Sequence, residues 1–205
     1  MMIPLPTVPG GFALIAADPA TDFAAGKKGR PQHYDRMTDH EIAALPVKDV
    51  AAPDSWLMLW VTSPKLYRAP GSKTTLTPQE IAESWGFRFS GRAFVWIKTH
   101  LAMGRSGEPM LIHTSSLHKG MGYTTRKNAE DVLLFRRGKP ERVSKSVHEI
   151  IIAPRREHSR KPEEFYRRAE AYCPGPRLEM FARESRPEWR TWGLEQTKFD
   201  LEAAE

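Results

Sequence analysis

One cysteine, Cys173, stands in 205 residues. A lone cysteine makes no internal disulfide and no cysteine-based zinc cage. No apolar run reaches the roughly 18 residues of a membrane span. The segment Met1 to Gly11 has no basic stretch ahead of an apolar one, so no secretory leader is expected there. Also missing are a Gly-x-Gly-x-x-Gly fingerprint, a P-loop, a Gly-x-Ser-x-Gly elbow and a His-Glu-x-x-His metal motif. His100, His113 and His118 are read as surface or contact residues. No metal site is expected. These absences point to a protein of the reducing cytoplasm.

What remains is an ordinary globular composition, with 40% hydrophobic and 27% charged residues. The chain is long enough for a core of its own, and a single domain over 1–205 is expected. The 14 glycines and 17 prolines imply short elements and sharp turns. The net charge of +6 is unevenly spread: −2 over 1–60, +5 over 61–135, +6 over 136–190 and −3 over 191–205. A basic middle and late chain suits a phosphate-bearing partner as well as a solvated surface. Residues 194–205 read as an acidic tail.

Apolar runs at 12–17, 55–62, 89–98, 128–135, 149–153 and 178–182 read as strands, with Gly91 marking a bulge. Thr38-Asp-His-Glu41 is a capping box that starts a short helix to Leu45. Thr77-Pro78 starts another, ended by Gly86, and Pro162 opens an amphipathic helix stopped by Pro174-Gly-Pro. Loops are expected over 65–76 and 100–124. Trp56 and Trp60 share one strand face and read as core, as does Cys173. Strands alternating with helices predict an α/β fold, a parallel or mixed sheet with helices on both faces.

Ligands of such sheets bind beyond the carboxyl ends of the strands. Those ends carry Asp18, Thr62–Ser63, Lys98–His100, Ala153–Arg156 and Arg183. The run Pro154-Arg-Arg-Glu-His-Ser-Arg-Lys161 follows a strand and precedes a helix, so Arg155, Arg156, Arg160 and Lys161 are expected to grip phosphates.

The order of several segments resembles the MT-A70 family of N6-adenine methyltransferases. They include Ala17-Asp-Pro19, Gly29-Arg-Pro-Gln-His-Tyr34, Leu59-Trp-Val-Thr-Ser-Pro64, Phe94-Val-Trp-Ile-Lys-Thr99 and Met121-Gly-Tyr123. Thr125-Arg-Lys-Asn-Ala-Glu130, Ala153 to Glu163, Pro174 to Glu179 and Phe181-Ala-Arg183 follow, ending with Trp192-Gly193. The resemblance runs from about 12 to 193. It implies a Rossmann-like domain using S-adenosylmethionine and acting on nucleic acid, DNA before RNA.

The family's Asp-Pro-Pro-Trp reads Asp18-Pro19-Ala20-Thr21 here, and these four take the catalytic position. A carboxylate and a proline carbonyl would hold the two hydrogens of the adenine amine, and the aromatic would stack on the extruded base. Thr21 has no ring to stack. Thr124 replaces a frequent Trp, and Leu194 replaces an Asn at the ribose. By position, Asp18, Lys161, Arg183, Glu195 and Gln196 would meet the cofactor. His33, Tyr34, Lys98, Tyr123, Arg155, Arg156, His158 and Arg160 would meet the nucleic acid. The departures carry a second reading: an inactive relative that binds nucleic acid or scaffolds a partner.

Overall fold

The computed structural model describes residues 3–19, 37–66, 75–100, 116–120, 125–157 and 159–200. Ala20, Thr21, His33, Tyr34, Tyr123 and His158 lie outside them, as do residues 67–74 of the first expected loop.

Seven strands form one sheet: β1 (Phe12–Ala17), β2 (Ala51–Val61), β3 (Arg88–Thr99), β4 (Ala129–Arg137), β5 (Ile150–Pro154), β6 (Arg177–Met180) and β7 (Trp189–Trp192). Their spatial order is β5-β3-β4-β2-β1-β6-β7. β4 runs antiparallel to both its neighbours, β2 and β3; every other pairing is parallel. The helices are α1 (Asp39–Ala43), α2 (Val47–Val50), α3 (Pro78–Ser84) and α4 (Glu163–Tyr172). This is the mixed α/β architecture of a Rossmann-like methyltransferase, as expected from the sequence.

Period-two alternation divides the core. Ile15, Leu57, Leu59 and Phe135 face Ile42, Ile81 and Trp85 of α1 and α3. Leu14, Trp56, Met58, Trp60, Phe94 and Trp96 face Phe165, Tyr166 and Ala169 of α4. Helices therefore cover both faces. Trp56 and Trp60 are core, and so is Cys173. The predicted capping box of Thr38 with Glu41 forms, and Thr77, expected to start a helix, forms a capping box too, with Glu80. Register skips between Phe89 and Gly91, where the bulge was expected. At the end of β4, Gly138 turns with φ +62°, and a Cβ there would stand 2.1 Å from Asp54 Oδ1.

The structure differs from the sequence reading in several places. β7 is a strand where none was expected. Its four residues, Trp189–Trp192, are too short to show a period. β2 starts earlier, at Ala51, running through Pro53 and Asp54 before its apolar stretch. Within the long 100–124 loop, residue 117 returns to β3 through a bridge with Thr99. Residues 194–200 fold back as turns, with Phe199 buried and its N–H donating to Arg183 O. Among the described residues no helix is long and apolar enough to cross a membrane.

Phe165 is fully buried between Trp60 (centroids 4.8 Å apart) and Phe94 (5.9 Å). Phe165→Ala should cost about 3–5 kcal/mol of stability, read as a lower urea midpoint.

Candidate active site

Asp18 follows β1 directly, and its N–H donates to Met180 O at the end of β6 (3.4 Å). The carboxyl ends of the parallel strands share one edge of the sheet. Because β4 runs the other way, its first residues, Ala129 and Glu130, come to that same edge. Lys161, just before α4, reaches in between. Its Nζ lies 3.0 Å from Asp18 Oδ2 and 2.9 Å from Glu130 Oε2. Lys98 Nζ lies 2.5 Å from Glu130 Oε1. The result is an alternating row Asp18, Lys161, Glu130, Lys98.

Two indoles floor this row. Lys161 Nζ is 4.3 Å from the Trp60 ring centre and Lys98 Nζ 4.7 Å from that of Trp96. Ammonium groups over indole faces gain a further electrostatic attraction. Burial alone would lower the Lys161 pKa, but Asp18 and Glu130 outweigh it and raise it. Burial would likewise raise Glu130, yet Lys161 and Lys98 bring it down to about 2. Lys161 and Glu130 hold their charges in this buried place because each stands against opposite charges.

Asp18 also separates two hollows. One lies between β1, β2 and the α1–α3 pair. It is lined by Pro19, Leu59, Val61, Thr62, Glu130 and Lys161, with buried Asp39 held by Lys65 (3.0 Å) and by the Leu76 N–H (3.0 Å). The other lies between β1, β6 and the turn before α4, lined by Ser159, Lys161, Glu179, Phe181, Arg183 and Phe199. Ser159 (φ +69°) and Phe181 (φ +62°) both hold left-handed backbone there. Strain of this kind costs on the order of 1–3 kcal/mol and concentrates at functional sites.

The second hollow contains an unpaired acceptor. Glu179 Oε1 accepts from the Tyr166 hydroxyl (2.6 Å), while Oε2 is buried without a hydrogen-bond partner among the described residues. Burial lifts the Glu179 carboxyl to about 7; Tyr166 and Arg186 offset part of this, and Glu184 and Asp18 add to it.

The expected phosphate grip is arranged differently. Arg156 pairs with Glu163, and Arg160 with Glu184 (2.7 Å) and Glu157 (3.2 Å). Arg186 closes the web onto Glu163 (2.7 Å) and Glu184, over the Tyr166 ring. Three cations meet three carboxylates. Arg155 alone of the four stays exposed, its N–H donating to Thr99 O (3.1 Å). Arg183 Nε lies 3.7 Å from Glu195 Oε2, and Gln196 Oε1 accepts from the Thr191 hydroxyl (3.4 Å), so these three cluster beyond β6 and β7.

Sequence reasoning gave no role to Glu130, Glu179 or Glu184. Glu130 and Glu179 sit inside segments that carry the family resemblance, the one signal that could have found them. A scan of strand carboxyl ends misses Glu130 because it begins an antiparallel strand.

A family model described as MT-A70 matches residues 12–195. The chain belongs to the MT-A70 family. It is similar to the type II methyltransferase M.MunI of Mycoplasma sp, at 28% identity over 165 residues, covering 79% of this chain and 59% of that protein. It is also similar to the N(6)-adenosine-methyltransferase MT-A70-like of Arabidopsis thaliana, at 29% identity, covering 85% and 22%. The N6-methyladenosine RNA methyltransferase MTA1 of Cryphonectria parasitica is 27% identical, with 92% and 52% covered. The chain thus spans from about a fifth to about three-fifths of these relatives' lengths. The Asp18–Lys161–Glu130 row and the first hollow fall inside the matched MT-A70 region, as does all of the second hollow but Phe199.

Glu179 and Glu130 give opposite pH signatures. A raised carboxyl pKa favours folding at low pH and loses that advantage as pH climbs from about 4.5 to about 7. Glu179→Gln should therefore stabilise the protein at pH 8 relative to the parent and change little at pH 4.5. A lowered pKa gives stability above about 4.5 that vanishes as pH falls toward about 2. Glu130→Gln should flatten that acid limb. Urea midpoints across the pH range check both.

Proposed function

We propose that this chain transfers the methyl group of S-adenosylmethionine to N6 of adenine in DNA. The observation that carries the reading is the Asp18 carboxylate, oriented by Lys161 between two hollows at the carboxyl edge of the sheet. The second hollow suits the cofactor. Its orphaned, buried Glu179 Oε2 and the Asp18 carboxylate face a ligand bearing an ammonium and a sulfonium, and Arg183 answers its carboxylate. When bound, S-adenosylmethionine supplies an electrophilic methyl group on a cationic sulfur.

The protein's own work lies on the acceptor. The amino group of adenine is a poor nucleophile because its lone pair is delocalised into the ring. Asp18 Oδ1 accepts one amino hydrogen and the Pro19 carbonyl the other, which turns the lone pair toward the methyl group. Lys161, 3.0 Å away, holds the Asp18 side chain in place. After transfer the surplus amine proton leaves to the Asp18 carboxylate and then to water. The first hollow, walled by Leu59 and Val61 and by the Pro19 ring, takes the extruded base. Ala20 and Thr21 continue the motif, and Glu195 and Gln196 flank the ribose. His33, Tyr34, Tyr123 and His158 complete the proposed contacts, with Lys98 behind Glu130; Arg156 and Arg160, paired with acids, are left out of them.

A second reading, an inactive nucleic-acid-binding relative, is favoured by Thr21 and by Leu194, which is 72% exposed where the family places an Asn. Labelled cofactor should transfer methyl groups to adenine-containing DNA, with the same sequence as RNA run alongside. Asp18→Asn should lower the rate by at least about 100-fold and weaken cofactor binding by no more than about tenfold. DNA binding with no cofactor binding by calorimetry would favour the second reading.

A further inference from the structure

With Arg156 and Arg160 consumed by Glu163, Glu184 and Glu157, the electropositive part of the cleft lies elsewhere. It is at the ends of β3 and β5. The 116–118 segment pairs with the end of β3: His100 N–H donates to Ser116 O (3.0 Å) and His118 N–H to Lys98 O (2.8 Å). This sets the two imidazoles edge to face, with centroids 5.2 Å apart. Arg155 leaves β5 beside them, tied to Thr99 between Lys98 and His100. Among the described residues, His100, His118 and Arg155 make no ion pair with a carboxylate. The nearest carboxylate in the row, Glu130, has both oxygens taken, by Lys98 and Lys161. Exposed Lys119 follows directly.

We propose that His100, His118 and Arg155 form a seat for one phosphodiester of the nucleic-acid substrate, next to the Asp18 cleft. The inference rests on the methyl acceptor being a nucleic acid. The seat offers two neighbouring imidazoles as N–H donors and, from the residue that follows β5, an exposed guanidinium. Its charge is uncompensated from every side that packs on it: Lys98 and His100 from β3, Arg155 from the end of β5, and Glu130 of β4 only through Lys98. Burial, and then Arg155, His100 and Lys98, lower the His118 pKa, so the free protein holds this imidazole neutral. A phosphate reverses that field. His118 then takes up a proton on binding, and affinity rises as pH falls.

The test is fluorescence anisotropy with a labelled adenine-containing DNA oligonucleotide and an RNA of the same sequence, across salt and pH. Wild-type affinity should increase by about tenfold from about pH 8 to about pH 6. Arg155→Ala should weaken binding by about tenfold and reduce the slope of log affinity against log salt by about one. His118→Gln should abolish the pH dependence, and both variants should keep wild-type cofactor affinity, which also reports their folding. Tighter binding of either polymer with these signatures supports the seat and identifies its source. A pH-flat wild type, or an unchanged salt slope in Arg155→Ala, overturns the seat while leaving methyl transfer to stand on its own assay. A wild type that binds neither oligonucleotide at low salt overturns the seat and the nucleic-acid reading together.

Discussion

The insertion of Lys161 between Asp18 and Glu130 is the contact on which the rest of the site depends. A buried ammonium is expensive, and only its two carboxylates and the face of Trp60 make it tolerable. In return, the ammonium holds Asp18 at the end of β1. Remove Lys161 and two carboxylates confront each other across the cleft. Remove Glu130 and Lys98 and Lys161 lose the anion between them. The row works as a unit, so single substitutions within it are not expected to be additive.

Strand direction makes the row possible. Were β4 parallel to its neighbours, Glu130 would sit at the far end of the sheet, about 20 Å away at some 3.3 Å per residue. The one reversed strand brings an acidic residue into an edge otherwise built from carboxyl ends. The same edge receives the residue 117 bridge, which brings His118 against His100. The acceptor chemistry and the electropositive shelf beside it are thus consequences of one topological choice.

Much of this was legible in the sequence. The capping box at Thr38, the helix start at Thr77, the bulge at Gly91, the two-sided helix cover and the position of Asp18 after an apolar run all follow from local patterns. The MT-A70 resemblance added the family. What stayed hidden is what local patterns do not encode. Glu130 was invisible as a site residue because nothing near it says that its strand runs backwards. Glu179 looks like any mid-strand acid until Tyr166 and the sheet bury it. Arg156 and Arg160 looked like a phosphate grip because their partners Glu163 and Glu184 are matched to them by folding.

Those arginines also limit how the chain can change. Arg156, Arg160 and Arg186 against Glu157, Glu163 and Glu184 form a neutral ring seen from outside, although the sequence around it is the most cationic in the protein. Altering one member strands its counterpart in a partly desolvated place. The ring is therefore open to drift only through paired exchanges, and it ties the turn before α4 to the segment after β6 more rigidly than the composition of either would suggest.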